Sequence, residues 1–137
     1  MRRHFSIRFA LTLILTLSQA ACGKPKYPAF EVTSDDNPSV TFHFSAADAT
    51  SSSPVIITVP GRELTIDDGT HRISLQRHWV ALHVPKESSL VGMGSAMCGI
   101  KRDGEFPGCD VMFVELPGTK KEVEYYFYDG NWPSFKK

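Results

Sequence analysis

Residues 111–128, Val-Met-Phe-Val-Glu-Leu-Pro-Gly-Thr-Lys-Lys-Glu-Val-Glu-Tyr-Tyr-Phe-Tyr, decide the fold of this chain. The stretch begins and ends with β-branched and aromatic residues, which fit the pleated surface of a sheet. Between these two runs lies Pro117-Gly118, a pair that is typical of a turn. The stretch therefore predicts an antiparallel hairpin.

The length of the turn sets the register of this hairpin. A three-residue loop places Glu115 opposite Lys121. A four-residue loop places Glu115 opposite Glu122, and it also pairs Val114 with Val123. Because like charges directly opposite each other destabilise a sheet, we predict the three-residue loop.

A second hairpin is predicted at residues 63–75. An Asp68-Gly69 pair suits a two-residue turn that needs positive φ, and it lies between two runs that alternate apolar and polar residues. Folding the chain at this pair sets Leu64 against Ile73. Pattern and turn chemistry thus agree on one register.

Further segments show the alternation or the β-branched runs of strands. They are residues 30–33, 40–44, 55–59 and 78–84. Residues 87–97 lack a strand pattern, and their glycines lower the helix propensity, so we predict a loop there. With about seven or eight short strands, the chain is predicted to be mainly β: a small antiparallel β-sandwich with one disulfide, or alternatively a small β-barrel.

The N-terminus has the composition of a secretory signal peptide, with three arginines in residues 1–8 and an apolar run at 9–17. This run is too short for a permanent transmembrane helix, which needs about 20 apolar residues. Small and polar residues follow it before Cys22. The sequence therefore predicts an exported protein.

The segment 17–23, Leu-Ser-Gln-Ala-Ala-Cys-Gly, resembles the lipobox of bacterial lipoproteins. Ala20 and Ala21 match the two positions before the cysteine, whereas Gln19 stands where the family prefers Leu. The resemblance implies that Cys22 is acylated, becomes the first residue of the mature chain, and holds the protein on a membrane facing the periplasm. The alternative is ordinary cleavage after Ala20 or Ala21, which gives a soluble periplasmic or secreted protein.

The chain has three cysteines, and an odd count leaves one thiol exposed to mispairing in an oxidising compartment. A lipid on Cys22 leaves Cys98 and Cys109 as a pair. A zinc pair is the competing idea, but zinc-binding cysteines are typically about two to four residues apart and need further ligands. We therefore predict a Cys98–Cys109 disulfide.

These segments divide the chain into a signal peptide at 1–21, a lipidated N-terminus and tether at 22–28, and a single β domain at 29–137. Loss of the three leader arginines leaves 12 Lys and Arg against 15 Asp and Glu, a net charge of −3. A mildly acidic chain without a basic cluster is not expected to bind nucleic acid, because phosphate binding needs clustered Lys and Arg.

The sequence contains no pattern that is typical of a catalytic or metal site. In the predicted strands His78 and His83 lie on opposite faces, so they cannot ligate one metal together. A Gly-x-Ser-x-Gly elbow and a phosphate-binding loop are both absent from the sequence. We therefore expect no catalytic residue, no metal and no cofactor.

Two groups of residues are candidates for binding a partner. In the Cys98–Cys109 loop, the apolar Phe106 stands among charges that include Lys101 and Arg102. A disulfide lowers the ordering cost that such a loop incurs on binding. The second group is aromatic, because Tyr and Trp dominate binding hot spots. It comprises Trp79, Tyr126 and Tyr128. The alternatives are that the C-terminal aromatics pack within the fold and that the loop is a solvated hairpin tip whose disulfide only stabilises the domain.

Together these features favour a membrane-tethered, non-catalytic module that binds an envelope protein. Assembly subunits, inhibitors and immunity-type proteins belong to this class. The alternative is a small extracytoplasmic hydrolase or ligand-binding enzyme that uses His83 or His43 with a nearby carboxylate.

Overall fold

The computed structural model describes residues 23–134, so Cys22 and the predicted signal peptide lie outside the described residues. The described chain is mainly β, with two three-stranded antiparallel sheets and a little helix. Its strands are β1 (Phe30–Thr33), β2 (Thr41–Phe44), β3 (Ile57–Thr58), β4 (Ser89–Met97), β5 (Gly108–Glu115) and β6 (Glu122–Tyr128). Its helices are α1 (Ile66–Gly69) and α2 (Arg72–His83). The described residues thus form six strands, not seven or eight, and neither sheet closes into a barrel.

The first sheet has the strand order β1-β2-β3. Alternate residues of β2 point to opposite faces, and Phe42 and Phe44 are both buried. Phe30 of β1 pairs with Phe44, and their rings stack with centroids 4.5 Å apart. The strands predicted around residues 30–33 and 40–44 are therefore confirmed.

The second sheet has the order β4-β5-β6, and the predicted hairpin of β5 and β6 is confirmed. Its predicted register is wrong, because Val114 pairs with Val123 and Glu115 pairs with Glu122. Both glutamates are exposed, and water screens their repulsion. Burial of the apolar pairs on the opposite face therefore decides the register, and the loop has four residues.

The hairpin predicted at 63–75 is wrong, because this region is helical. The Thr65 hydroxyl accepts a hydrogen bond from the Asp68 N–H, and the Asp68 carboxylate accepts one from the Thr65 N–H. This reciprocal capping box satisfies backbone donors that a helix start otherwise leaves unpaired. The Asp68-Gly69 pair therefore lies in α1, not in a turn.

The strand predicted at 78–84 is also wrong, because α2 extends to His83. The buried residues of α2 are Leu75, Gln76, Trp79 and Val80. Their spacing of one and four residues is that of a helix face. Leu82, which in a strand would share the apolar face of Val80, is 57% exposed.

The loop predicted at 87–97 is wrong, because these residues include β4. The glycines of β4 allow a close approach of the neighbouring strand. A Cβ atom at Gly94 would lie 3.2 Å from Cε2 of Phe113, and one at Gly92 would lie 3.5 Å from Cδ2 of the same ring. The glycines thus make room for the Phe113 ring on one face of the sheet.

One hydrophobic core joins both sheets to α2. Trp79 of α2 is fully buried, and its ring centroid lies 5.6 Å from that of Tyr125 and 5.4 Å from that of Phe127. Residues 55–57 connect the two sheets, because the Val55 N–H donates to the Tyr126 carbonyl of β6 while Ile57 pairs within the first sheet. No helix within residues 23–134 is long and apolar enough to cross a membrane.

Candidate functional site

Cys98 and Cys109 form a disulfide, as predicted. Their Cα atoms lie 5.3 Å apart, within the usual range for a disulfide. Both side chains are buried, and Tyr128 packs with them in a small second cluster on the other face of the β4-β5-β6 sheet. A disulfide indicates an oxidising, extracytoplasmic compartment.

The tip of the Cys98–Cys109 loop is a tight hairpin turn. Arg102 and Glu105 exchange two backbone hydrogen bonds of 2.8 and 3.0 Å. Between them, Asp103 has a φ of 51° and Gly104 a φ of 83°. Two residues with positive φ are what a type I′ turn requires, and Asp-Gly is a favoured pair for it. The Asp-Gly turn of this chain thus lies here.

The base of the loop is also fixed by backbone hydrogen bonds. The Cys98 N–H donates to the Pro107 carbonyl at 2.7 Å, which closes the loop across its base. The Gly99 N–H donates to the Ser51 carbonyl, also at 2.7 Å, which ties the loop to a distant segment. Because the disulfide fixes the base of the loop and the turn fixes its tip, the loop has a defined shape before any partner binds.

Aromatic contacts position both cations of the loop. The Lys101 Nζ lies 5.4 Å from the centroid of the Phe106 ring, and the Arg102 guanidinium lies 4.7 Å from that of Tyr128. These distances are typical of cation–π contacts. The Phe106 side chain remains 46% exposed. The loop therefore presents an accessible aromatic ring with a positive charge beside it.

The second predicted group does not form one surface. Trp79 is fully buried, and Tyr128 is only 9% exposed. Tyr126 is half-buried, and its hydroxyl donates to the Glu124 carboxylate, which raises the pKa of Tyr126. Trp79 belongs to the main core, whereas the two tyrosines lie with the disulfide cluster on the opposite face of the sheet. Of the three residues, Tyr126 has the most accessible surface.

The histidines lie in separate environments. The His83 Nδ1 lies 2.8 Å from the Trp79 carbonyl oxygen, and its ring packs between aromatic side chains. His43 lies between Glu31 and Thr58 on a sheet face, without a hydrogen bond to Glu31. Within residues 23–134, no cluster of three His, Cys, Asp or Glu side chains could hold a metal ion.

A shallow cavity of about 400 Å³ lies between α2 and the loop that joins β1 to β2. Its polar lining includes Asp35, Asp36, His71 and His78. No ion pair links these carboxylates to these histidines in the described part of the chain. The cavity is open to solvent, and its apolar lining includes Phe42 and Leu75.

A polar cluster that sequence reasoning missed joins α2 to the second sheet. Asp110 accepts hydrogen bonds from Arg72 and Gln76, and Gln76 is fully buried. Arg72 and Gln76 are four residues apart, which places them on the same side of a helix. This four-residue spacing is the sequence signal for the cluster, but it places the two side chains together only if the segment is helical.

Comparisons of this chain with protein-family models, with curated proteins and with solved structures find no match. Among the predicted site residues in the described range, Lys101, Arg102 and Phe106 lie together on one ordered and exposed loop.

Proposed function

We propose that this protein is a membrane-tethered, non-catalytic lipoprotein of the bacterial envelope that binds another protein through its Cys98–Cys109 loop. The observation that carries the proposal is Phe106, an aromatic side chain that is 46% exposed at an ordered, disulfide-closed hairpin. Exposed loops on a rigid scaffold are where binding residues concentrate. Aromatic side chains supply much of the binding energy of protein interfaces.

The order of the loop favours binding. A flexible loop loses conformational freedom when a partner fixes it, and this loss weakens affinity. Here the disulfide and the Arg102–Glu105 backbone hydrogen bonds already restrict the loop. Little further ordering is needed when a partner contacts Phe106.

The cations beside the two aromatic rings indicate the kind of partner that fits, in a loop that also carries Asp103 and Glu105 and therefore has no net charge. Lys101 lies beside the Phe106 ring, and Arg102 is held over Tyr128. A protein surface with an apolar pocket for Phe106 and carboxylates at its rim would match both features. An assembly subunit, an inhibitor and an immunity-type protein could each recognise a partner in this way.

In this proposal an acyl group on Cys22 tethers the protein to the membrane. The lipobox-like segment at residues 17–23 supports this acylation. Tyr27 pairs with Ala47 through hydrogen bonds of 3.0 and 3.1 Å, and the Lys26 N–H donates to the Asp48 carboxylate. At about 3.5 Å per residue, the chain from Cys22 to Lys26 spans no more than about 14 Å. An acylated protein would thus hold its domain close to the membrane surface.

The test is a pull-down from envelope extracts with the full-length, tethered protein as bait. The matched control bait carries Phe106→Ala with Lys101→Glu, after its melting temperature has been shown to be unchanged. We expect one stoichiometric protein with the wild-type bait and its loss with the variant. Turnover of a small substrate by the purified protein, with no protein recovered, would support the enzymatic alternative.

A further inference from the structure

Strand β4 has an open edge. It lies at one end of the order β4-β5-β6 and pairs with β5 on one side only. Within residues 23–134, no backbone hydrogen bond reaches β4 from its other side. The far edge of β6 is different, because it bonds to Ala49 and Val55. The unpaired N–H and C=O groups of β4 are therefore free to pair with another strand.

Apart from the bulge between Leu90 and Gly92, the residues of β4 do not protect this edge. The strand runs for 9 residues, Ser-Leu-Val-Gly-Met-Gly-Ser-Ala-Met, without a charged residue or a proline. Natural proteins usually place lysine, proline or inward-pointing charges on open edges to prevent association. Four apolar side chains of this strand are exposed instead, by 38% at Leu90, 51% at Val91, 42% at Met93 and 71% at Met97. The composition favours pairing.

We propose that two copies of this chain associate through β4, with the two strands antiparallel about a two-fold axis at Gly94. The pairing extends the three-stranded sheet of each copy into one six-stranded sheet. This self-association goes beyond the binding of a partner by the Cys98–Cys109 loop and does not depend on it.

The side chains of β4 complement a second β4 on both faces. Because side chains alternate along a strand, Gly92, Gly94 and Ala96 lie on one face. Antiparallel pairing about Gly94 sets Gly92 opposite the second copy's Ala96, so that face brings only small residues together. On the other face, Met93 meets the second copy's Ser95, which leaves space for the long methionine side chain.

The charge and length of β4 also favour a second copy as the occupant. The strand itself carries no charge that would repel its own copy across the pair. The cation that contacts it is Arg77 of α2, whose Nη2 lies 3.9 Å from the Met93 Sδ. The regular part of the strand, residues 92–97, follows a bulge between Leu90 and Gly92 and is about 20 Å long. A single pair of strands of this length buries little surface, and interfaces with a small buried area are usually weak. We therefore expect a reversible dimer that forms as concentration rises.

Cysteine cross-linking tests the proposed register in the full-length protein. In an antiparallel pair, directly opposite residues have Cα atoms about 4.5–5.5 Å apart, which a disulfide can bridge. An equimolar mixture of the Met93→Cys and Ser95→Cys proteins should give disulfide-linked dimers under mild oxidation. A mixture of Met93→Cys with Ser74→Cys, an exposed position on α2, should give no more dimer than wild type, which carries the same native cysteines.

Sedimentation measures the same association without cross-linking. We expect Ser95→Lys, which places two lysines near the axis, to raise the dimer dissociation constant at least about tenfold. Ser74→Lys adds the same charge elsewhere and should leave the constant unchanged. The proposal is overturned if wild type stays monomeric at all concentrations, if Ser95→Lys leaves the dimer intact, or if a photoreactive residue placed at position 93 cross-links a different protein and no second copy in cells.

Discussion

Gln76 donates a hydrogen bond from Nε2 to Oδ2 of Asp110 at 2.6 Å, and this contact joins α2 to the middle strand of the second sheet. The same carboxylate oxygen accepts a hydrogen bond from Nε of Arg72 at 2.7 Å and forms an ion pair with Nη2 of that guanidinium at 2.6 Å. Charge-assisted hydrogen bonds of this length are stronger than neutral ones. Asp110 therefore fixes the position of the helix on the sheet, beyond what apolar packing alone specifies.

We predict that Asp110→Ala destabilises the fold by about 2–4 kcal/mol, because it leaves the buried Gln76 amide without its acceptor and Arg72 with only the more distant Asp129 carboxylate, at 3.4 Å. Urea denaturation of the purified protein measures this difference. Asp36→Ala removes an exposed carboxylate and should change the free energy of unfolding by less than about 0.5 kcal/mol. Equal effects of the two variants would show that the Asp110 cluster contributes no particular stability.

The second prediction concerns pH and the start of α1. The pKa of Asp68 is lowered from 3.8 to about 2, chiefly because the Arg62 side chain donates hydrogen bonds to its carboxylate. A group whose pKa is lower in the folded state stabilises the fold above its unfolded pKa and loses this contribution as pH falls. We expect Asp68→Asn to be less stable than wild type at pH 7 and the gap to narrow between about pH 4 and pH 2.

Thermal denaturation at a series of pH values checks this prediction. Asp67→Asn is the matched control, because Asp67 is the neighbouring exposed aspartate. Its difference from wild type should not follow the same pH window. A gap for Asp68→Asn that stays constant down to pH 2 would mean that the Arg62 contact does not stabilise the folded carboxylate.

The third prediction concerns the disulfide. Replacing both Cys98 and Cys109 by alanine should destabilise the fold by about 3 kcal/mol, because the cross-link restricts the unfolded chain. Intact-mass analysis under non-reducing conditions should show wild type lighter by two hydrogens than the reduced protein. Two thiols that alkylate freely in freshly isolated, folded protein would contradict the link.

Sequence patterns predict the fold well where the alternation of apolar and polar residues matches the alternation of buried and exposed side chains. In β5 and β6, the apolar faces identify both strands. The predicted register is wrong because the repulsion between Glu115 and Glu122 is weak at an exposed position. The disulfide is predicted correctly from the number of cysteines and from the oxidising compartment that the N-terminal sequence indicates. The loop tip could have been identified from Asp103-Gly104, which has the same turn chemistry as Asp68-Gly69.

The errors at residues 63–84 have a common physical cause. An alternating apolar pattern at Ile73, Leu75, Val80 and Leu82 fits a strand, but only burial shows which of these residues face the core. Ile73 is 37% exposed and Leu82 57%, whereas Leu75 and Val80 are buried. The Thr65-x-x-Asp68 capping signature was the local signal for a helix start, and it competed with a turn signal at Asp68-Gly69.

The fourth prediction concerns the proposed tether. Cys22→Ser should move the protein from the detergent-soluble membrane fraction to the soluble fraction, because the acyl anchor is lost. Fractionation with salt washing and mass analysis of the N-terminus measure this change. A wild-type protein that is already soluble, with an N-terminus at Ala21 or Cys22 and no added mass, would contradict lipidation.

Cross-linking in living cells tests the proposed contact between Phe106 and a partner protein. A photoreactive phenylalanine analogue at position 106 keeps the aromatic ring, and one at the exposed Thr119 places the same probe at the opposite end of β5. We predict one defined cross-linked protein from position 106 and none from position 119. The same products from both positions, or no cross-linked protein from position 106, would contradict this contact.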